Sequence, residues 1–244
     1  MKKTKNADLF ISPNVSIPQF EKYCSDLTNE EIQSATDYLD HACPVGEAPY
    51  FRNYFFRLYW LARKSGAKKI VELGCTPGGS TIPLLWAAER NDGYLWSCDL
   101  LANPPTKIPH YNSSDMSKRA IIGGIKASEL GKVWFHGEVD FIYLDTSHAY
   151  EDTIEEINAW LPHLKEGGLF VFHDTEVYKS EVFRAITHVI TNSSSLFELH
   201  HWPDCYGHVA LQRFDGIQDS CNMMRPSTTN FAPSLTELLL QARS

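Results

Sequence analysis

The chain has no run approaching about 18 uninterrupted apolar residues, which excludes a membrane-spanning helix. Its first twenty residues, MKKTKNADLFISPNVSIPQF, begin basic but lack the apolar stretch of roughly 7–15 residues that a signal peptide needs; Asn6, Asp8, Ser12, Pro13 and Asn14 interrupt it. The expectation is a cytoplasmic protein with no membrane partner. Positive charge is also scarce. Lys plus Arg number 22 against 30 Asp plus Glu, a net charge of −8, so phosphate backbones would repel the chain and nucleic acid is not the expected partner. The six cysteines (24, 43, 75, 98, 205 and 221) form no C-x-x-C pair and no framework spacing. That argues against cysteine-bound zinc and a disulfide scaffold, and for buried free thiols in a reducing compartment. No internal repeat is present.

What is there is globular. Aromatics at 12% and hydrophobics at 43% exclude disorder over most of the chain, and 244 residues suit one α/β domain. Thr28-Asn29-Glu30-Glu31 matches a capping box and predicts a helix to about Leu39. Phe51, Tyr54, Phe55, Leu58, Tyr59 and Leu61 recur at helical spacing, with Gly66 placed to end that helix. From Lys69 the period changes to short apolar runs separated by helical segments. Strands are predicted at 70–73, 94–99, 120–122, 139–145, 168–174, 196–202 and 206–213, with helices over 80–90, 153–164 and about 180–192. The segment 101–118, LANPPTKIPHYNSSDMSK, carries three prolines and no period, as a functional lid does. Ser234-Leu235-Thr236-Glu237 is a second capping-box match near the end. The expected fold is α/β: a Rossmann-like, seven-stranded, mostly parallel sheet with helices on both faces. A helical N-terminal extension over 1–48, a core over 49–213 and a tail over 214–244 complete the expected organisation.

The segment Val71-Glu72-Leu73-Gly74-Cys75-Thr76-Pro77-Gly78-Gly79-Ser80-Thr81 reads as a strand, a glycine-rich turn and a helix start. Ligands of open α/β sheets sit outside the carboxyl ends of the strands. Asp99 ends the next strand, where a carboxylate accepts from ribose hydroxyls. A dinucleotide needs G-x-G-x-x-G for its pyrophosphate, and this turn departs from that. Glu72 would repel a pyrophosphate but suits a cofactor carrying an ammonium and a sulfonium.

At these residues the sequence resembles the class I S-adenosylmethionine-dependent methyltransferases, over roughly residues 49–213. The resemblance implies S-adenosylmethionine as cofactor, lined by Glu72, Gly74, Cys75, Gly78, Gly79, Ser80, Asp99 and Asp145, with Gly124 and Ile125 near the adenine. A second cluster, Asp145-Thr146-Ser147-His148-Ala149-Tyr150 followed by His173-Asp174, resembles the branch containing the macrolide-sugar (macrocin and mycinamicin) O-methyltransferases and the cephalosporin hydroxylase proteins. That resemblance implies Asp145, His173 and Asp174 at the positions of a Mg²⁺ site, and His148, with Asp145, as the catalytic pair in which His148 is the general base. His173 stands where metal-dependent members carry Glu. Imidazole tilts such a site toward Mn²⁺, Fe²⁺ or Zn²⁺, or leaves it without metal.

The function so implied is methyl transfer to a small-molecule hydroxyl. Tyr50, Tyr54, His110, Tyr111 and Tyr150 are substrate-wall candidates, as are Phe51 and the loop from Trp202 to Tyr206. Three alternatives stay open: methylation of nitrogen without metal, a nicotinamide-dependent oxidoreductase, and a cofactor-binding protein without catalysis. A homo-oligomer is left open as well.

Overall fold

The structure, a computed structural model, describes residues 23–42, 48–102 and 116–214. Two helices lead, α1 (Asn29–Ala42) and α2 (Ala48–Lys64). The sheet follows: β1 (Lys69–Leu73), β2 (Tyr94–Asp99), β3 (Arg119–Gly123), β4 (Val139–Leu144), β5 (Leu164–His173), β6 (Leu196–Trp202) and β7 (His208–Phe214). Between the strands run α3 (Thr81–Arg90), α4 (Ala127–Lys132), α5 (Tyr150–Trp160) and α6 (Arg184–Asn192). The strand order is β3-β2-β1-β4-β5-β7-β6. The first five strands are parallel, and β7 lies antiparallel between β5 and β6.

Strand periodicity divides the core. Ile70, Phe141, Tyr143, Leu169, Val171 and Ala210 pack with α1, α2 and α3 on one face. Val71, Leu73, Ile142, Leu144, Phe170, Phe172, Val209 and Leu211 pack with α4, α5 and α6 on the other. Successive strand residues thus bury on opposite faces, as a sheet covered on both sides requires. The expected N-terminal extension shares this core: Tyr23, Cys24, Ala35, Tyr38 and Leu39 are buried in the same cluster as α2 and α3.

The capping box forms as read. Thr28 Oγ1 accepts from the Glu31 amide at 3.2 Å, and Glu31 Oε2 accepts from the Thr28 amide at 2.8 Å. Three elements differ from expectation. The six-residue α4 was not anticipated; a helix this short, with only Ala127 and Leu130 as buried apolar residues, carries almost no periodic signal. The helix expected from 153 starts at Tyr150 and ends at Trp160 in a 3₁₀ turn, Leu161–His163, with Pro162 inside it. The helix expected from 180 opens as a π-helical turn over Lys179–Phe183. Most of the 101–118 segment, the second capping box and Cys43 and Cys221 lie outside the described residues, while Cys24, Cys75, Cys98 and Cys205 are buried thiols outside any disulfide. Among the described residues no helix is long and apolar enough to cross a membrane.

Candidate active site

The parallel strands β1, β2, β4 and β5 end on one edge, and the residues singled out in the sequence gather there. At the end of β1 the chain turns through Gly74 (φ +85°) and Gly78 (φ +113°). The position of Gly74 is forced twice over. Its φ is one that side chains rarely adopt, and a Cβ there would stand 1.8 Å from the Asp145 carbonyl oxygen. The turn after β1 and the start of the β4 loop are therefore in backbone contact. Asp145 confirms the register by donating its amide to the Leu73 carbonyl at 2.9 Å.

Asp99 holds that turn from the side. Its Oδ2 accepts from the amides of Cys75 (3.1 Å) and Thr76 (3.0 Å), and its Oδ1 from Leu101 (2.9 Å). Burial raises its pKa, but these amides outweigh burial and keep it below the ordinary carboxylate value. Gly124 donates its amide to the carbonyls of Asp99 and Leu101, so the expected adenine flank does adjoin Asp99.

Glu72 is placed differently from the expectation. It is fully buried, beneath the turn and not in the cleft. Ser80 Oγ (2.6 Å), Thr81 Oγ1 (3.0 and 2.9 Å) and Ser97 Oγ (2.5 Å) all donate to its carboxylate. Burial raises its pKa, with Arg119 and the hydroxyls opposing. Glu72 therefore staples β1, β2 and the start of α3, and does not itself face a ligand. The side chains of Ser80 and Cys75 are buried too, so only backbone and the Thr76–Pro77 lip of the turn reach the cleft alongside Gly79.

The second cluster closes into a ring. His148 Nε2 lies 3.0 Å from Asp145 Oδ1 and 3.1 Å from Asp174 Oδ2. His173 Nδ1 lies 3.3 Å from Asp145 Oδ2 and 3.3 Å from Asp174 Oδ1. Tyr143 donates its hydroxyl to Asp145 Oδ2 at 3.0 Å. His148 and Asp174 have φ of +61° and +58°, and Cys205 and Tyr206, on the β6–β7 loop behind the ring, have +53° and +67°. Four of the five positive-φ residues other than glycine among the described residues thus surround this cluster; such conformations cost about 1–3 kcal/mol each and collect at functional sites. Burial acts to raise the Asp145 pKa, but the two imidazoles hold it far below the carboxylate range.

His148 is not a free base in this arrangement. Burial lowers its pKa, but Asp145 and Asp174 outweigh burial and raise it to about 9. The two carboxylates thus favour the imidazolium form of His148 in this arrangement. The donors do suit a divalent ion: Asp145, His148 and Asp174 offer ligand atoms within 4.8 Å of one another, and the buried Nδ1 of His173 faces the same carboxylates with no well-formed hydrogen bond.

Two substrate candidates are displaced. Tyr54 is buried in the core, its hydroxyl bonded to that of Tyr143 and its ring 4.6 Å from that of His173 and 4.4 Å from that of His208. Tyr150 turns toward α6, its hydroxyl 2.5 Å from His188 Nδ1 and its ring 3.9 Å from the Arg184 guanidinium. The side chains of Tyr50, His110 and Tyr111 lie outside the described residues. Sequence reading missed Tyr178. Its ring stacks on His148 at 4.6 Å and 2°, and it is 42% exposed at the mouth of the site. The signal was its place four residues after Asp174, since the Tyr178 amide bonds the Asp174 carbonyl at 2.9 Å.

Residues 71–175 match a family model described as a methyltransferase domain. No curated protein matches the chain. Among solved structures, the Podospora anserina methyltransferase PaMTH1, bound to S-adenosylhomocysteine, is 14% identical, with 88% of this chain and 98% of that one covered and a TM-score of 0.56. The O-methyltransferase TomG of Streptomyces achromogenes, involved in tomaymycin synthesis and solved with S-adenosylmethionine, is 16% identical over 80% and 95%, with a TM-score of 0.55. MycE of the mycinamycin pathway, solved with Mg and S-adenosylhomocysteine, is 16% identical over 75% of this chain and 54% of that one, at 0.50. Residues 71–175 are thus similar to a methyltransferase domain, and the sheet has the fold of these solved methyltransferases.

Proposed function

We propose that the protein transfers the methyl group of S-adenosylmethionine to a hydroxyl of a small molecule. The observation that carries this reading is the pairing of the Gly74–Ser80 turn with Asp99 on the sheet edge, one strand away from the Asp145–His148–Asp174 cluster. The cofactor has its ribose at Asp99, whose Oδ1 keeps a lone pair for a hydroxyl, and its methionine end over Gly74 toward Asp145. The acceptor then enters between the turn and Tyr178. Fixing the two reactants in line supplies several kcal/mol by itself. The acceptor oxygen forms a bond to the methyl carbon as the carbon–sulfur bond breaks. The sulfur keeps that electron pair and becomes a neutral thioether, and the hydroxyl proton passes to neutral His148, whose imidazolium Asp145 and Asp174 then stabilise. A divalent ion held by Asp145 and Asp174, when bound, lowers the pKa of an attacking hydroxyl.

Three solved neighbours that bind this cofactor or its demethylated product support the reading, and two of them belong to the mycinamycin pathway and tomaymycin synthesis. The net charge of −8 suits a cationic cofactor and not a nucleic acid. The test is incubation with S-adenosylmethionine carrying a ¹³C-labelled methyl and a panel of hydroxylated and aminated small molecules. The expected product carries the label on oxygen. A label on nitrogen overturns the choice of acceptor atom, and failure to bind the cofactor overturns the reading altogether.

A further inference from the structure

Two tyrosines stand in the core where phenylalanine would pack as well. Tyr54 of α2 and Tyr143 of β4 belong to the apolar cluster between the helices and the sheet, at 6% and 0% exposed. Their hydroxyls bond each other, and that of Tyr143 also reaches Asp145 Oδ2 at 3.0 Å. Burying a hydroxyl costs free energy that a hydrogen bond largely just returns, so a Phe pair would serve the core equally. The direction of the chain follows from counting protons. A carboxylate only accepts, so the single Tyr143 proton goes to Asp145, and Tyr54 must give its own proton to the Tyr143 oxygen. A hydroxyl that accepts one bond donates the next more strongly.

Periodicity on both elements sets this up. Tyr143 and Asp145 are two residues apart at the end of β4, so they share a face of the sheet. Phe51, Tyr54 and Arg57 recur every third residue along α2, which puts neighbours on one side of the helix. Phe51 and Arg57 fasten that side to the β6–β7 loop. The Phe51 ring lies 5.7 Å from that of Tyr206, and Arg57 pairs with Asp204 and reaches His208 Nδ1 at 3.3 Å. Between them the Tyr54 ring packs against those of His173 and His208, so its hydroxyl has little room to turn from Tyr143. All of α2 precedes the residues that match the family model.

We propose that Tyr54 is a positioning residue of the candidate active site: acting through the Tyr143 hydroxyl, it fixes the orientation of the Asp145 carboxylate beside His148. Tyr143 holds Oδ2, and the other oxygen, Oδ1, is the one 3.0 Å from His148 Nε2, so a turn of the carboxylate carries the partner of His148 away. His173 Nδ1 faces the same Oδ2 at 3.3 Å from the other side, and the two tyrosines complete its hold. The effect on turnover rests on the methyl-transfer reading above. The hydroxyl chain itself does not, because it is observed without cofactor or acceptor.

The test uses the full chain and Tyr54→Phe, which removes one oxygen and keeps the ring. Proton NMR of the wild-type chain should show two phenol protons, close to each other and slow to exchange with water. In Tyr54→Phe one should vanish and that of Tyr143 should move upfield, as its bond to Asp145 weakens. With S-adenosylmethionine and an acceptor found by the labelled-methyl panel, kcat of Tyr54→Phe should fall roughly 10–100-fold. Phenylalanine would rescue a mere packing role. Tyr143→Phe should slow the reaction at least as much, and adding Tyr54→Phe to it should cost nothing more, because the two act in series. The proposal is overturned if neither phenol proton is protected in the wild-type chain, or if the Tyr143 proton stays in place in Tyr54→Phe. It is equally overturned if Tyr54→Phe turns over at the wild-type rate, which would mean that His173 alone holds Asp145, or if the two losses multiply. A chain that binds no S-adenosylmethionine overturns the methyl-transfer reading instead, and the phenol protons still decide this one. The wild-type spectrum needs no variant, so a variant that fails to fold leaves the question decidable.

Discussion

Gly74→Ala perturbs the point where the cofactor turn meets the carboxylate cluster, and its cost can be worked in two parts. The first is backbone. At φ +85° an alanine pays about 1–2 kcal/mol for a left-handed conformation. The second is contact. The new Cβ would lie 1.8 Å from the Asp145 carbonyl oxygen and 2.7 Å from its carbon, and neither is a flexible side-chain end, so main chain must move. Overpacking of that kind costs about 1–3 kcal/mol. The expected loss is about 2–5 kcal/mol, a large share of a typical domain stability of roughly 5–15 kcal/mol. Gly167→Ala separates the two parts. Gly167 has φ +74°, and nothing stands within 4 Å of its added Cβ, so it carries the backbone part alone. Urea unfolding of both variants should place Gly74→Ala about 1–3 kcal/mol below Gly167→Ala. Folded Gly74→Ala should also bind S-adenosylmethionine poorly, because Asp145 is displaced. If the two variants unfold within about 0.5 kcal/mol of each other, the close approach of the turn to Asp145 is wrong.

Two further predictions concern buried charge. Arg57 is 1% exposed, 2.5 Å from Asp204 and 3.3 Å from His208 Nδ1, and lies over the ring of Trp202 at 5.3 Å. Arg57→Met leaves Asp204 without its partner and should cost about 3–5 kcal/mol in urea unfolding, much of it recovered in Arg57→Met/Asp204→Leu; full stability in the single variant would refute the pair's role. Burial raises the Glu156 pKa from 4.5 to about 7, against a hydrogen bond from Thr146. The folded state therefore holds a proton that the unfolded chain releases above about 4.5. Stability from this group is full below that pH, falls as pH rises to about 7 and is level beyond it. The fall from pH 5 to pH 8 should reach about 3 kcal/mol at most, and Glu156→Gln should flatten it; an equal slope in both proteins would contradict the assignment.

The sheet was legible because its strands carry short, mostly apolar runs ending in glycine or aspartate, as Ile70–Leu73 and Tyr94–Asp99 do. The Thr28–Glu31 box was legible because capping is local chemistry. What escaped reading depends on side-chain direction, which sequence spacing leaves open. Glu72 follows the strand alternation onto the α3 face, where three hydroxyls from distant positions meet it. Tyr150 belongs to the right motif but turns to α6 once the helix starts at that residue. Tyr54 is one of the helical aromatic stripe, and burial claimed it. His148 was visible as part of Asp-x-x-His, yet its position between two carboxylates arises from a positive φ that no local signal announces. Tyr178 reaches the site through the turn that follows β5.

The central claim is that this sheet edge binds S-adenosylmethionine with its ribose on Asp99. Calorimetry of the wild-type chain and of Asp99→Ala with this cofactor tests it most directly. A hydroxyl bond to a carboxylate, at about 1.5–3 kcal/mol, predicts clear saturable binding that weakens at least tenfold in the variant. No heat at millimolar cofactor, equal affinity in Asp99→Ala, or tighter binding of NAD would contradict it.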